Sequence, residues 1–459
     1  MHTISIITRN NFLNLLVAVL LPLLLLLSCQ GNKDPFEPIL SAAAQKRDLE
    51  YVHALETGGG QPGDDVGYLP VIIKPGSAVV GPIVEQIMMA TIALPTALEG
   101  SAGSWCTWEG CLIGPRLYHA PLPNDDTLIG WTDAQGDGHV SLVSGSSTQY
   151  LDFPGTSIRG LVAHSDRSFA VLLWDKGADS MWLSRRKPNG DEDWTTNLNS
   201  SIARAEFWLG DGRLEYGNGR YAAYFTVKGI DGGFAGHYGD QLSYVSDAGI
   251  IQADGWNWGC SHSMAQLVTY HPGLDEFAAV CSEDCFPAKS IHWVNASQQI
   301  YQADGNCGGL ASAQLGQMAT GDQKWKLVFN AQEQPCCEGN GIALATLQAD
   351  QQTSFIWLTD TDGQYERDPG IARIGTNMAS GRYLVGWMTT NNGAFWLGIV
   401  DDGDQFVVGP EDVSTAGVSW GNRDESFRTR ADGTVSWLQA DAGGDQIRLF
   451  RFNGAAFLP

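Results

Sequence analysis

The sequence predicts an all-β protein. Among its 459 residues are 55 Gly and 16 Trp, whereas Lys and Arg together number 27. Long helical patterns are almost absent after residue 100, where short apolar segments alternate with turns rich in Gly and Asp. This combination is typical of a β domain with many tight turns.

A repeated unit indicates how these strands are arranged. One short apolar strand recurs, and its equivalent positions are residues 131, 174, 225, 280, 329, 387 and 437. The positions lie 43 to 58 residues apart, close to the period of about 40–50 residues expected of propeller blades. Residues 112–459 are therefore predicted to form a β-propeller of seven blades, each with four antiparallel strands. A β-sandwich built from the same strands is the alternative.

The repeat also resembles a known type of blade. The segment Asn218–Phe225 parallels Ser380–Trp387, and a second strand such as Phe395–Val400 follows, ending in an Asp-Gly turn. The sequence GRYLVGWMTTNNGAFWLGIVDDGDQF resembles a blade type common in bacterial secreted proteins. The resemblance covers residues 112–455 and implies the fold alone, since propellers host both binding and catalysis.

The N-terminus has the layout of an export signal. Residues 1–28 carry one positive charge, Arg9, and an apolar stretch that is short for a membrane span. This stretch ends in Leu26-Leu27-Ser28-Cys29, which resembles the bacterial lipobox and implies a lipoprotein signal peptide with lipid on Cys29. Gln30 resembles the signal for transfer to the outer membrane. The alternative is an ordinary signal peptide cleaved near Gly31, which would give a secreted protein.

Two segments separate the signal from the repeats. Residues 29–68 are predicted to be a flexible tether, because they include the run Gly58-Gly59-Gly60-Gln61-Pro62-Gly63. Residues 69–111 form an apolar lead-in, a candidate for completing the propeller. We therefore expect a propeller held at the cell envelope by its lipid anchor.

The net charge restricts the partners. The chain carries 51 Asp and Glu against 27 Lys and Arg, a formal charge of −24. Nucleic acid and anionic lipid headgroups repel such a surface, so neither is an expected partner. No cofactor is firmly implied, although a divalent cation such as calcium is compatible with the charge.

The cysteines indicate disulfides. If Cys29 carries lipid, eight of the nine cysteines remain, and an even number in an exported chain favours disulfide bonds. Cys106 and Cys111 are close enough in sequence to close a small loop. The pairing among the other six is left open by the sequence; they are Cys260, Cys281, Cys285, Cys307, Cys336 and Cys337.

Propeller logic places those six cysteines on one face. The links between blades and the loops between second and third strands share one face, which usually carries the binding site. The 231–240 loop, the 255–263 link and the 281–287 loop fall there, over units three to five. Disulfides would pre-organise such long loops as a recognition surface.

Several side chains of these loops are candidates for chemistry. His and carboxylate groups converging in one pocket would suit a divalent metal or general acid–base catalysis. The alternative is that they are turn and capping residues, because no metal-ligand spacing is present and the metal stays unknown. The candidates are His237, Asp240, His262, Glu283 and Asp284.

Aromatic and histidine residues add further expectations. Trp256 and Trp258 alternate at strand period, so both would point to one side and stack on a sugar or grip a peptide; packing between blades is the alternative. His119, His164 and His271 are expected to be solvated turn residues on the opposite face.

These features favour a binding module over an enzyme. The leading hypothesis is a membrane-anchored surface or periplasmic lipoprotein. Its propeller face formed by the disulfide-linked loops of units three to five would bind a glycan, peptide or protein partner. The second is a propeller enzyme, a polysaccharide hydrolase or lyase, with or without the assistance of a metal. The third is a structural subunit of an outer-membrane assembly. No nucleophile elbow, P-loop or HExxH motif occurs in the chain.

Overall fold

The computed structural model describes fifteen stretches of the chain. They are residues 69–70, 82–99, 105–107, 110–112, 116–144, 147–205, 212–261, 265–283, 290–302, 314–332, 340–359, 366–389, 393–419, 427–441 and 443–459. The predicted signal peptide and the whole of the predicted tether, with Cys29, lie outside these ranges. Their limits therefore stay predictions.

Seven antiparallel sheets form the blades of a β-propeller, which confirms the predicted fold. We call the four strands of a blade inner, second, third and outer, from the propeller axis to the rim. Blade 1 contains Leu117–Pro121, Thr127–Thr132, Gly138–Ser144 and Ser147–Phe153. Blade 2 contains Thr156–Ala163, Phe169–Asp175, Ser180–Arg186 and Glu192–Asn197. Blade 3 contains Gly212–Gly217, Arg220–Gly229, Tyr238–Ser246 and Trp256–Ser261, and Ala203–Ala205 also pairs with its second strand.

The later blades follow the same plan. Blade 4 contains Gln266–His271, Glu276–Glu283, Ser290–Trp293 and Gln298–Gln302. Blade 5 contains Gln314–Gly321, Lys324–Gln332, Asn340–Leu347 and Ser354–Trp357. Blade 6 contains Glu366–Arg373, Arg382–Thr389, Phe395–Asp401 and Phe406–Asp412.

Blade 7 joins the two ends of the domain. Its first three strands are Arg428–Thr429, Val435–Ala440 and Gln446–Phe452. The outer strand is Ile87–Ala93, from the apolar lead-in, which pairs from Ile87 opposite Phe452 to Ala93 opposite Gln446. Leu69–Pro70 pairs beyond it. Because one blade takes strands from both ends of the domain, separating the ends would break its hydrogen-bond ladder.

Packing between neighbouring blades supplies the core. All seven repeat positions lie on second strands and are at most 6% exposed, among them Trp131, Phe225 and Trp437. Second strands bury both faces, which explains why they read as continuous apolar runs such as Val171–Trp174. The aromatic side chains fill the space between sheets, each burying a large apolar area.

The remaining regular structure is short. A two-stranded hairpin pairs Trp105–Thr107 with Gly110–Leu112, placing Cys106 opposite Cys111. Brief 3-10 turns are Val84–Gln86, Pro123–Asp125, Gly232–Phe234, Val294–Ala296, Met378–Ser380, Ser414–Ala416 and Gly454–Phe457. None of the helical turns in the described ranges has the length and apolarity needed to cross a membrane.

Candidate functional site

The inner strands enclose a cavity on the propeller axis. Its volume is about 240 Å³, and the inner strands of blades 3 to 6 line it together with residues 427–429 of blade 7. Each inner strand is the edge of its sheet nearest the axis, so consecutive residues of one strand, such as 213–215, line the cavity. Seven inner strands converging at one axis thus bring together residues that are far apart in sequence.

The cavity lining is basic. Arg213, Arg373 and Arg428 line it, and Glu215 is the one acidic residue among its described lining residues. Arg213 is only 6% exposed and donates from Nη1 to the carbonyl of Gly212 at 3.0 Å. Among the described lining residues, arginines outnumber carboxylates three to one, whereas the chain as a whole has a charge of −24.

Two of the charged lining residues form an ion pair. The Arg428 Nη1 atom of blade 7 lies 3.5 Å from Glu215 Oε2 of blade 3. Two blades separate these strands one way around the ring and three the other way, so the ion pair spans the axis. One guanidinium of the lining is therefore offset by a carboxylate.

Arg373 is held by uncharged groups. Its Nη1 donates to Thr320 Oγ1 at 3.1 Å, and its Nε donates to the carbonyl of Gly375 at 3.2 Å. Burial lowers the pKa of the guanidinium, although an arginine keeps its proton at physiological pH. Arg373 thus presents a fixed positive charge at the end of its inner strand.

Gln317 ties two blades together beside this cavity. Its side-chain oxygen accepts from the amide of Phe427 at 3.0 Å, and its side-chain nitrogen donates to the carbonyl of the same residue. One amide side chain thereby satisfies both backbone groups of Phe427. This contact fixes the start of the blade 7 inner strand, where Arg428 follows.

The predicted candidates in blade 3 divide into buried and exposed residues. Asp240 is fully buried at the start of the third strand, whereas His237 is exposed at the end of the preceding loop. Asp240 accepts from the Cys260 amide at 2.6 Å, from Trp256 Nε1 at 3.2 Å and from the Tyr224 hydroxyl. Burial raises the pKa of the Asp240 carboxyl above its usual value, although these hydrogen bonds act in the opposite direction. Its carboxylate holds the outer strand in place.

Trp256 and Trp258 belong to a strand and not to an exposed link. Both lie in the outer strand Trp256–Ser261, and the expectation that they point to one side is wrong. Trp256 packs against the cluster between blades 3 and 4, while Trp258 packs against the cluster between blades 2 and 3. A positive φ of 70° at Trp258 breaks the strand alternation. Trp258 also contacts the ring of Phe234, with centroids 4.9 Å apart.

Glu283 contacts a histidine of its own blade. Glu283 Oε2 lies 2.9 Å from His292 Nε2, and Ser290 Oγ lies 2.7 Å from the same nitrogen. In a catalytic triad, the serine and the carboxylate bind different nitrogens of the histidine ring. With both partners on Nε2, this group is not arranged as a serine triad.

Some predicted residues lie outside the described residues. His262 and Asp284 are among them, so their convergence with His237 stays a prediction. Within the described ranges, no three His, Cys, Asp or Glu side chains gather as a metal site. The divalent cation, calcium included, also stays a prediction.

Two of the cysteines that were expected to form disulfides are joined, in a pairing that the sequence left open. Cys260 of the blade 3 outer strand and Cys281 of the blade 4 second strand form a disulfide, with 6.5 Å between their Cα atoms. It links neighbouring blades on the predicted face. The other late cysteines, Cys285, Cys307, Cys336 and Cys337, lie outside the described part of the chain.

The expectation of solvated histidines is wrong at two positions. His119 and His271 are at most 1% exposed. His119 Nε2 lies 3.1 Å from the carbonyl of Ser436, and His271 Nε2 lies 2.8 Å from the carbonyl of Gly321. Each ring bridges its strand to a neighbouring blade, blade 7 for His119 and blade 5 for His271, a contact that no local pattern reveals. His164 is half-buried, 2.8 Å from the Tyr221 hydroxyl.

The arginines of the cavity were missed by reasoning from sequence. They lie in inner strands, which precede the aromatic strands used to define the repeat. The sequence did contain a signal. Lys and Arg number only 27 in this acidic chain, yet four arginines fall in inner strands: Arg159, Arg213, Arg373 and Arg428. Inner strands of a predicted propeller therefore merit a separate count of charges.

Comparisons with known proteins return similar architectures alone. No protein-family model matches the chain, and no curated protein matches it. A Penicillium chrysogenum alpha-L-arabinanase complexed with arabinobiose matches with TM-score 0.43 and 8% identity, covering 79% of this chain and 98% of that one. Prolyl endopeptidases match with TM-score 0.42 and 13% identity, covering 73% of this chain and 48% of that one. The six-bladed lectin of Aleuria aurantia matches with TM-score 0.36 and 9% identity, covering 64% of this chain and 95% of that one. These matches assign no activity to this chain.

Proposed function

We propose that this chain is a lipid-anchored binding protein of the cell envelope, which takes its ligand into the axial cavity of the propeller. The observation that carries the proposal is the cavity itself. It is concave, about 240 Å³ in volume, and lined by polar groups from several blades. Convergent polar groups in a preformed concave site are what small-ligand recognition requires.

The lining favours binding over glycoside hydrolysis. That reaction uses a pair of carboxyl groups on either side of the scissile bond. Among the described lining residues Glu215 is the one carboxylate, and it is paired with Arg428. Arginine, glutamine and threonine side chains bind and orient a ligand without supplying an acid and a base.

Filling the cavity tests the proposal. Thr269 lines it from the inner strand of blade 4 and is half-buried, so T269W would occupy ligand space. The matched control is T91W, at an exposed position on the outer strand of blade 7. Binding of neutral and acidic oligosaccharides and of short peptides to the full chain would be measured by calorimetry. We expect T269W to lose binding and T91W to keep it.

Three results would overturn the binding proposal. The first is unchanged affinity in T269W, which would move the site elsewhere. The second is turnover of the bound oligosaccharide, seen as new reducing ends, which would favour the enzyme. The third is a panel in which the wild-type chain binds no probe.

The anchor has its own experiment. In a Gram-negative host, the full chain should incorporate a clickable fatty acid and sediment with membranes. C29S should lose both the label and the membrane association, whereas C106S should keep them. Label that persists in C29S would disprove lipid attachment at Cys29.

A further inference from the structure

The axial cavity has a buried end and a half-exposed end. All inner strands run in the same direction, since each leads into the second strand of its own blade. Along every lining strand the first lining residue is buried and the last is half-buried. In blades 4, 5 and 7, for example, the buried residues are Leu267, Gln317 and Phe427, and the half-buried ones are Tyr270, Thr320 and Thr429. The cavity therefore opens where the inner strands end, and we call this opening the mouth.

The mouth lies on the face opposite the disulfide. Cys281, which is bonded to Cys260, pairs with Gln266, the first residue of the blade 4 inner strand. The disulfide is thus level with the starts of the inner strands, whereas the mouth is level with their ends. A ligand that enters the cavity approaches from the turns between inner and second strands.

Two contacts between blades that are not neighbours bound the cavity. At its buried end, Gln317 of blade 5 binds both backbone groups of Phe427 of blade 7. At its side, the ion pair of Glu215 with Arg428 joins blade 3 to blade 7. The described inner strands of blades 1 and 2 lie beyond that pair and do not line the cavity. The described lining therefore has the shape of a pocket with one mouth.

This shape restricts which part of a polymer can enter. The volume of about 240 Å³ is below the range of about 300–1,000 Å³ typical of sites for drug-sized ligands. One small unit fits such a volume. An interior unit would need the chain to leave twice through the same mouth, whereas a terminal unit needs one exit. The cavity therefore suits the end of a chain.

Charged side chains near the mouth already have partners in the protein. Glu215 pairs with Arg428, and Arg373 donates to Thr320 and to the Gly375 carbonyl. A peptide terminus would bring a full charge to these groups, and breaking a partly buried ion pair to meet it costs free energy. The lining therefore favours an uncharged chain end.

Three threonine hydroxyls near the mouth keep hydrogen-bonding capacity. A hydroxyl offers one donor and two acceptor positions. Thr320 accepts from Arg373 at 3.1 Å and can still donate, whereas Thr429 donates to the Arg373 carbonyl at 2.7 Å and can still accept. Among the described residues, the Thr269 hydroxyl has no hydrogen-bond partner. Neighbouring donors and acceptors match a sugar, because each sugar hydroxyl both donates and accepts.

We propose that the cavity binds the terminal unit of an uncharged saccharide chain through the hydroxyls of Thr269, Thr320 and Thr429. This inference rests on the proposed function and names the ligand class of the same site. The rest of the saccharide stays outside the ring, on the face opposite the Cys260–Cys281 disulfide.

A length series tests recognition of chain ends. Calorimetry with the full chain would use neutral linear oligosaccharides of glucose, galactose, mannose, xylose and arabinose, with short peptides as the charged comparison. For the series that binds, molar affinity should stay constant from the trisaccharide upward, because every chain has the same number of ends. Affinity that rises in proportion to chain length would overturn recognition of the end. Binding of peptides alone, or of no neutral saccharide, would overturn the ligand class.

A conservative variant tests the hydroxyls. T269V removes one hydroxyl and keeps the branched shape of the side chain, so binding should weaken about fivefold through the loss of one hydrogen bond. T91V makes the same change at an exposed position of the blade 7 outer strand and should bind like the wild-type chain. T429V repeats the test from blade 7. Unchanged affinity in both T269V and T429V would contradict the assigned contacts.

A bulky substitution on each face tests the position of the mouth. T269W fills the cavity near the mouth, whereas A235W places the same ring on an exposed loop of the disulfide face. We expect A235W to keep full affinity, since the ligand enters from the other side. Equal loss of binding in A235W and T269W would show that the mouth is assigned to the wrong face.

The outcomes separate the two proposals. If T269W abolishes binding but affinity rises in proportion to chain length, the cavity is the binding site and the chain-end inference is wrong. If T269W binds normally, the proposed function fails first. Circular dichroism melts show that the variants compared are folded.

Discussion

Glu215 and Arg428 meet across the propeller axis, with 3.5 Å between Oε2 and Nη1. They come from the inner strands of blades 3 and 7, and 212 positions separate them in the sequence (428 − 215 − 1). Neither blade alone contains the pair. The axial cavity, and the charge that lines it, exist only when all blades have closed into a ring.

The buried carboxylate of Asp240 should be indispensable for stability. In D240N one of its two oxygens becomes an NH₂ group that faces a donor, either the Cys260 amide or the Tyr224 and Trp256 pair. We expect a loss of about 2–4 kcal/mol in the free energy of unfolding, since a buried donor is left without an acceptor. Urea denaturation gives the value. D231N, at an exposed loop carboxylate, is the control and should change stability little; equal losses would contradict the structural role of Asp240.

His119 should make the protein acid-sensitive. Its pKa is about 3 in the folded chain against 6.5 when unfolded, so the unfolded chain binds the extra proton between these values. The stability that neutral His119 contributes is complete above pH 6.5 and is lost as the pH falls toward 3. H119Q removes the proton that His119 takes up on unfolding. Over this window the free energy of unfolding should therefore change less steeply with pH, by about 1.4 kcal/mol per pH unit, the value for one proton.

Urea denaturation of H119Q at several pH values between 4 and 7 checks this expectation. H237Q is the matched control, because His237 is exposed. It should keep the acid sensitivity of the wild-type chain. An H119Q profile parallel to that of the wild type would show that another group causes the acid sensitivity.

The Cys260–Cys281 disulfide should stabilise the junction of blades 3 and 4. It closes a loop of 21 residues, which corresponds to about 3 kcal/mol in the chain-entropy model. The double variant C260A/C281A should lose about that much in a urea melt under non-reducing conditions. A peptide map of the oxidised wild-type chain should return the two cysteine peptides joined. Cysteine peptides found apart would refute this pairing.

Blades 3 and 4 approach each other closely at Gly217. A Cβ atom there would lie 2.2 Å from Cγ of Tyr270, so alanine would force the blades apart. We expect G217A to cost about 1–3 kcal/mol, as overpacked core positions do. G233A is the control, since nothing lies within 4 Å of a Cβ atom at Gly233. Equal thermal melting of both variants would refute the close contact.

The sequence by itself determined the all-β class, the number of blades and the seven buried positions that define the repeat. These features follow from local chemistry: turns need Gly and Asp, and strands that bury both faces need continuous apolar runs. The even number of cysteines outside Cys29 indicated disulfides, and the Cys260–Cys281 bridge is one of them.

Only the tertiary structure decided where the charges go. His119 and Asp240 look like ordinary polar turn residues in the sequence, yet each is buried because its partner comes from another strand or blade. Arg213, Arg373 and Arg428 look like scattered surface charges until ring closure turns every inner strand toward one axis. Burial and proximity between distant segments depend on that closure, so no local pattern records them.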